Sequence, residues 1–399
     1  MLEGCRTLGG SAERRYAVAI LGDTHYDAEP ESVYHSHYDE SNKWAEVQHA
    51  EFRRNGEMWR TRCPRMLEAS AALARRLDTR FVLQLGDIIQ GDCDDVPTHK
   101  KMLDDCIRLL RAPYPKGLPF LTVMGNHDFR GKGARKAYLE FAEPFMADEI
   151  WRLSGARPGE IAYPVFSFRL GCDLWVFCDF EMKDLGPICD AIESDPSARY
   201  VFLVTHGPFT TFASDRSFRW RLGGRKASEA TRPRLYEALS RRRAIVLSGH
   251  THTTNFYRHE NRHGGFTEFT VNSVWAKPEL ATAEPILCKV GDYEADTSRH
   301  TGEKLEDFRR EVGFFRQGLV EYFYNNGAGH YRMDVSDDAV AMAFYPGDAR
   351  ECARTFKLGG GALRGNASRT DREQKALCRV YGTDETAALT LAPHEFVRK

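Results

Sequence analysis

The stretch Pro119-Phe120-Leu121-Thr122-Val123-Met124-Gly125-Asn126-His127-Asp128 is an apolar-rich run that ends abruptly in a glycine and three polar residues. Short β-type runs bounded by glycine are typical of buried strands. In open α/β sheets, ligands bind at the carboxyl edge of the strands. The stretch therefore predicts a buried strand that carries Asn126, His127 and Asp128 to the edge of a sheet.

Four other apolar runs end in the same way. They are Tyr16–Leu21 before Gly22-Asp23-Thr24-His25, Phe81–Leu85 before Gly86-Asp87, Tyr200–Val204 before Thr205-His206, and Ala244–Leu247 before Ser248-Gly249-His250-Thr251-His252. Between the runs, apolar residues recur at three- and four-residue spacing, which is typical of helices. This alternation predicts an α/β protein.

The sheets are not expected to be purely parallel. The runs Val165–Leu170 and Asp173–Cys178 are separated by two residues only, which predicts an antiparallel hairpin. We therefore expect a two-sheet β-sandwich flanked by helices rather than a simple doubly wound sheet.

Composition and charge narrow the functional classes. The chain has 399 residues and is 42% hydrophobic, which is enough for a large core. Its 56 basic and 57 acidic residues balance, which argues against a groove for a long polynucleotide.

No run reaches the roughly 18 to 20 apolar residues of a membrane-spanning helix. We expect a cytoplasmic protein as the sequence stands, or a periplasmic or secreted one if a leader was removed. The ten cysteines form no C-x-x-C pair, so most are expected to be reduced and buried.

Two regions fall outside the alternating pattern. Residues 26–62 form a long polar and aromatic segment, which we interpret as a pocket wall or lid. After residue 276 the pattern stops. We expect a core at 16–276 and a C-terminal extension at 277–399, in which Leu319–Tyr324 and Tyr331–Tyr345 supply edge strands before a tail.

The polar residues at the five strand ends are carboxylates, amides and imidazoles, which together suit divalent metals. One such motif alone is more often a cap than a ligand. The ordered set of five resembles the calcineurin-like metallophosphoesterase superfamily over about residues 16–254. The resemblance implies an αββα fold and two divalent metal ions (manganese, iron or zinc). It also implies hydrolysis of a small phosphomonoester or phosphodiester by a hydroxide that bridges the metals.

The resemblance also implies a role for each motif residue. The first metal would be held by Asp23, His25 and His252, the second by Asn126, His206 and His250, and Asp87 would bridge the two. His127 would stabilise the phosphoryl group or protonate the leaving oxygen. Asp128 would either orient His127 or cap the following helix. The second motif departs from the pattern of many members, and Gln90, Asp92, Asp94 and Asp95 are candidates for hydrogen bonds that support the ligands.

The sequence offers weaker indications of substrate. Arg216, Arg219 and Arg221 follow the fourth motif, interleaved with aromatic residues, and would suit phosphate oxygens and a flat group. The alternative is a solvated basic loop. His35 and His37 are more consistent with simple surface polarity than with a third metal, and the aromatic residues of Tyr34–Tyr38 are better suited to line the pocket. Two rival functions stay open: a non-catalytic binding scaffold with this fold, and a nuclease.

Overall fold

Two mixed β-sheets pack against each other in the computed structural model, with helices on their outer faces. The structure describes residues 15–36, 38, 45–76, 78–155, 163–211, 221–224, 228–274, 302–325 and 327–360. This arrangement confirms the predicted two-sheet sandwich flanked by helices.

The first sheet has six strands in the order β13-β12-β11-β1-β2-β3. Its strands are β1 (Tyr16–Leu21), β2 (Thr79–Gln84), β3 (Phe120–Thr122), β11 (Gly329–Val335), β12 (Val340–Pro346) and β13 (Arg354–Gly359). β1, β2 and β3 are parallel, and β11 runs antiparallel to β1. Three predicted motifs therefore follow adjacent parallel strands and meet at one edge.

The second sheet has seven strands in the order β10-β8-β9-β7-β6-β5-β4. Its strands are β4 (Val165–Leu170), β5 (Asp173–Cys178), β6 (Val201–Val204), β7 (Ile245–Ser248), β8 (Thr254–Asn261), β9 (Gly264–Thr270) and β10 (Leu319–Asn325). β4 and β5 form the predicted hairpin. β6 and β7 are adjacent and parallel, so the remaining two motifs also emerge side by side.

Eight helices lie in the part of the chain that the structure describes. They are α1 (Glu31–Tyr34), α2 (Ala45–Thr61), α3 (Cys63–Arg76), α4 (Val96–Arg111), α5 (Ala134–Ser154), α6 (Gly186–Glu193), α7 (Arg232–Arg242) and α8 (Gly302–Arg316). Alternation along β1 explains the layers. Val18 and Ile20 face the core between the sheets, whereas Ala19 and Leu21 face the helices. None of the described helices has the length and apolar character needed to cross a bilayer.

Strands from beyond residue 276 belong to both sheets. β10 forms one edge of the second sheet, whereas β11 and β12 lie inside the first sheet and β13 forms its edge. The expected stretch Tyr331–Tyr345 is two strands, because a turn at Ser336–Ala339 divides it. The division of the chain at residue 276 stays a prediction.

Acid is expected to destabilise this fold through buried neutral histidines. His330 is fully buried, Nδ1 donates to the Gly347 carbonyl at 3.1 Å, and Nε2 has no hydrogen-bond partner. Burial lowers the pKa of His330 to about 4. The unfolded chain, with an ordinary pKa near ~6.5, therefore takes up the proton first as the pH falls. The stability that the neutral ring confers is complete above pH ~6.5 and is lost as the pH falls towards ~4.

His330→Phe tests this expectation, since a phenyl ring keeps the stacking on Tyr345 but cannot be protonated. The linkage relation gives a contribution from His330 of about 2 kcal/mol between pH 7 and pH 5. The urea midpoint of the variant should therefore fall less than that of the wild type over this interval. Equal falls in the two proteins would contradict the expectation.

Candidate metal centre

All seven predicted metal ligands come together where the two sheets present the ends of their parallel strands. The donor atoms form three groups, and within each group they lie within 4.8 Å of one another. The groups are Asp23, His25 and His252; Asp87, His206 and His250; and His25, Asp87 and His127. Asn126 joins the second group, since its Oδ1 lies 3.2 Å from Nε2 of His206. Six of the seven side chains are buried, and His252 is partly exposed.

Asp87 lies between the two halves of the site, one with His25 and His252 and the other with His206 and His250. Its Oδ1 accepts a hydrogen bond from the His127 backbone N–H at 2.7 Å. Its Oδ2 lies 3.2 Å from Nε2 of His206 and 3.7 Å from Nε2 of His25. One oxygen is thus held by the backbone while the other faces one histidine of each half. This is the position that a bridging carboxylate requires.

Asp23 is held in the same manner. Its Oδ1 accepts from the His250 backbone N–H at 3.0 Å, and its Oδ2 lies 2.9 Å from Nε2 of His252. The Nε2 atoms of His25 and His252 are only 3.0 Å apart. Two imidazole nitrogens at this distance need a shared proton or a cation between them. The oxygen and nitrogen donors, without cysteine, fit manganese, iron or zinc.

The electrostatics of the site favour a cation. Burial raises the pKa of the Asp87 carboxyl, but the neighbouring His206 and His127 outweigh it and hold that pKa well below its usual value. Burial lowers the pKa of His206, but Asp87 and Asp23 outweigh it and raise the pKa to about 9. The two carboxylates thus draw positive charge into a buried space.

The backbone at the site is turned sharply. His25, Asp87, His250 and His252 have φ angles of 40°, 51°, 69° and 54°, in the left-handed region that residues other than glycine rarely adopt. Such conformations cost about 1 to 3 kcal/mol each and cluster at functional sites. Four proposed ligands therefore sit in conformations that the surrounding packing must enforce.

The glycines before the ligands allow the strand-end loops to approach one another. A Cβ at Gly125 would lie 2.2 Å from both the backbone N and Oδ1 of Asp87. A Cβ at Gly86 would lie 2.5 Å from Nδ1 of His206. Any side chain at these two positions would displace a proposed ligand.

Gly125→Ala is therefore expected to lower metal content, because the added methyl group pushes Asp87 away from the histidines. Metal bound per chain after gel filtration, measured by plasma mass spectrometry, provides the check. Gly313→Ala is the matched control, because a Cβ there meets nothing within 4 Å. An unchanged metal content in Gly125→Ala would contradict the expectation.

Hydrogen bonds on the far side of two imidazoles decide which nitrogen faces the centre. Nδ1 of His206 lies 2.8 Å from the Leu85 carbonyl, to which it donates. Nδ1 of His25 lies 3.1 Å from Oε1 of Gln90. Each contact leaves Nε2 directed at the carboxylates, and such contacts tune ligand basicity. Gln90 thus supports a proposed ligand directly, whereas Asp95 caps α4 through the Thr98 N–H.

His127 and Asp128 have different surroundings. Nδ1 of His127 lies 3.0 Å from the Gln90 carbonyl, and Nη1 of Arg130 lies 2.9 Å from Nδ1 and 3.1 Å from Nε2. Burial and the charge of Arg130 lower the pKa of His127 well below its usual value.

The Asp128 carboxylate instead accepts from the N–H groups of Ile89 and Gly125, at 3.2 and 2.8 Å. Asp128 therefore ties the second and third motifs together, and a catalytic role for it stays a prediction.

The weaker candidates have structural partners or lie outside the described residues. Arg216, Arg219 and His37 belong to the latter group. Arg221 is buried, and its Nε donates to Glu311 of α8 at 2.9 Å. His35 is buried, lies 3.1 Å from Asp27 and stacks on Phe52. A role for Arg221 in binding substrate stays a prediction.

Arg130 and the inner face of α2 were not predicted from the sequence. Nη2 of Arg130 donates to Gln48 of α2 at 2.6 Å and lies 2.5 Å from Oδ2 of Asp92. Arg130 follows the third motif by two positions, which gives it no recognisable spacing. The polar residues of α2 do recur at helical spacing, and this signal could have been read from the sequence.

Comparisons with known proteins bear on the family and the fold of the chain. The family model described as calcineurin-like phosphoesterase matches residues 16–254. No curated protein matches the chain. Among solved structures, purple acid phosphatase PPD1 from yellow lupin (Lupinus luteus) seeds is similar at 12% identity and a TM-score of 0.51. That match covers 86% of this chain and 54% of the lupin chain.

Two further structures are similar at lower TM-scores. A dimetal phosphatase from Danio rerio has 14% identity and a TM-score of 0.49, covering 87% of this chain and 99% of that one. GAP50, the anchor in the inner membrane complex of Plasmodium, has 13% identity and a TM-score of 0.46, covering 91% and 95%. Of the three structures, the lupin phosphatase has a TM-score above 0.5, and at 12% identity it indicates a shared fold only. On the match of its five motif-bearing strands to the family model, the chain belongs to the calcineurin-like phosphoesterase family.

Proposed function

We propose that the protein is a dinuclear metallophosphoesterase that hydrolyses a small phosphomonoester or phosphodiester. The observation that carries the proposal is the position of Asp87, whose Oδ2 faces His206 on one side and His25 on the other. Membership of the family supports the same reaction class.

The residues of the centre fit two divalent metals. Asp23, His25 and His252 would hold the first metal, Asn126, His206 and His250 the second, and Asp87 both. When bound, the metals supply a water that ionises near neutral pH and positive charge for the phosphoryl oxygens. The donor set suits manganese, iron or zinc, and metal supply in the host decides among them.

The chain's own residues supply proton transfer and orientation. With Nδ1 of His127 donating to the Gln90 carbonyl, Nε2 is the ring atom left to protonate the leaving oxygen. Because burial and Arg130 lower the pKa of His127, that protonation requires the negative charge of a bound phosphate to raise it again. The guanidinium of Arg130 beside this ring adds positive charge for phosphate oxygens. The complete set of donors supports an enzyme over a scaffold that has kept the fold and lost the chemistry.

The test is hydrolysis of para-nitrophenyl phosphate and bis-para-nitrophenyl phosphate. Metal-stripped protein is reloaded separately with manganese, zinc and iron. We expect metal-dependent turnover, and the preferred ester then separates monoesterase from diesterase. A wild-type protein that binds no metal and turns over neither ester would contradict the proposal. Cleavage of oligonucleotides in preference to both esters would favour the nuclease.

A further inference from the structure

One face of α2 contacts residues that surround the metal centre at each turn of the helix. Gln48, Glu51, Asn55 and Trp59 recur at spacings of three, four and four residues, which places them on the same side. A Cβ at Gly56 would lie 3.2 Å from the Asp27 carbonyl, so the helix lies against the loop that follows β1. Within the segment 26–62, α2 therefore lies beside the site.

The central contact of this face is a buried amide network. Oε1 of Gln90 lies 2.7 Å from Nδ2 of Asn55 and 3.1 Å from Nδ1 of His25, and Nε2 of Gln90 lies 3.3 Å from Oε2 of Glu51. Asn55, Gln90 and His25 are each at most 3% exposed. The network links α2 to a proposed ligand of the first metal through one side chain.

The network determines the tautomer of His25. Nε2 of Gln90 donates to Oε2 of Glu51, which places the amide nitrogen of Gln90 on the side of Glu51. The amide oxygen of Gln90 then faces His25, so Nδ1 of His25 must donate. Nε2 consequently carries the lone pair, and this is the atom that faces Asp23 and Asp87.

The backbone of the same loop is held by Trp59. Its indole N–H lies 2.9 Å from the Thr24 carbonyl and 3.2 Å from the His25 carbonyl. This contact supports the left-handed conformation of His25, whose φ is 40°. The helix therefore holds both the ring and the backbone of one residue.

The proposed ligands of the second metal are supported differently. Nδ1 of His206 donates to the Leu85 backbone carbonyl, and no α2 side chain takes part in that contact. We infer that Gln90, Asn55, Glu51 and Trp59 are positioning residues for the first metal, and that they act by fixing Nε2 of His25 as its ligand atom. This inference rests on the proposed dinuclear centre.

The test is equilibrium metal binding, measured by calorimetric titration of metal-stripped protein with manganese. Gln90→Leu removes the acceptor for His25. We expect one of the two manganese ions to bind roughly 10- to 100-fold more weakly while the other binds as in the wild type. Glu57→Gln is the control, because Glu57 lies on the exposed face of α2.

A double variant separates positioning from a general loss of packing. In Gln90→Glu with Glu51→Gln, the carboxylate at position 90 accepts from His25 and the amide at position 51 donates to it. The total charge is unchanged. We therefore expect this double variant to bind manganese about as tightly as the wild type, in contrast to Gln90→Leu. Failure of the double variant to recover, with an unchanged thermal midpoint, would overturn the inference.

Three further outcomes are decisive. Unchanged binding of both manganese ions by Gln90→Leu, or equal weakening of both, would overturn the inference and leave the proposed function standing. Absence of manganese, zinc and iron binding by the wild type would instead remove the proposed function, and this inference with it.

Discussion

Asp87→Asn is expected to abolish phosphoester hydrolysis and to lower the metal content of the protein. The His127 backbone N–H donates to one oxygen of residue 87, so the asparagine must keep its carbonyl oxygen there. Its NH₂ group then takes the place of Oδ2, facing His206 and His25. A donor in that place repels cations where the carboxylate attracted them.

The readout for Asp87→Asn is metal bound per chain together with turnover of both nitrophenyl esters. Asp190→Asn is the matched control, since Asp190 is an exposed carboxylate that pairs with Arg234 at the surface. We expect this control to keep full metal content and turnover. Two tightly bound metals and undiminished turnover in Asp87→Asn would exclude a bridging role.

His127→Ala is expected to lower turnover about 10²- to 10⁴-fold for esters with poor leaving groups, the range that general acid catalysis supplies. The loss should be much smaller for para-nitrophenyl esters, because nitrophenolate leaves without a proton. Metal content should not change, because His127 is not one of the seven proposed ligands. Its backbone N–H, which donates to Asp87, also remains in the alanine variant. A set of aryl and alkyl phosphates of graded leaving-group pKa provides the measurement.

His263→Ala is the control for that series, because His263 is partly exposed and contacts Glu237 away from the centre. The dependence of rate on leaving-group pKa should steepen in His127→Ala and stay unchanged in His263→Ala. Equal losses for aryl and alkyl esters would show that His127 does not protonate the leaving oxygen.

The residues that meet at the centre could be picked out from the sequence because each strand-end motif is local. Asp23 and His25 lie two residues apart directly after β1, and glycine marks the turn. The left-handed φ of Asp87 follows from the sharp turn after Gly86, and a pattern of strand followed by glycine and a ligand already indicates such a turn.

Other features could not be predicted because their partners lie far apart along the chain. The hydrogen bond from Asn55 to Gln90 joins residues 35 positions apart, and Arg221 and Glu311 are 90 positions apart. Neither pair leaves a periodic pattern. The strands near residue 331 were expected at a sheet edge because they come late in the chain. In the structure β11 instead pairs with β1.

The pairing of β1 with β11 affects synthesis on the ribosome. Tyr16 pairs with Val335, so β1 gains this partner only after more than 300 further residues have been made. At typical elongation rates of about 5 to 20 residues per second, that interval is on the order of tens of seconds. During this time one edge of the nascent sheet is unprotected, and β1 leads directly to Asp23. All seven proposed ligands lie before residue 254, so they are made before β11 is available to cover this edge.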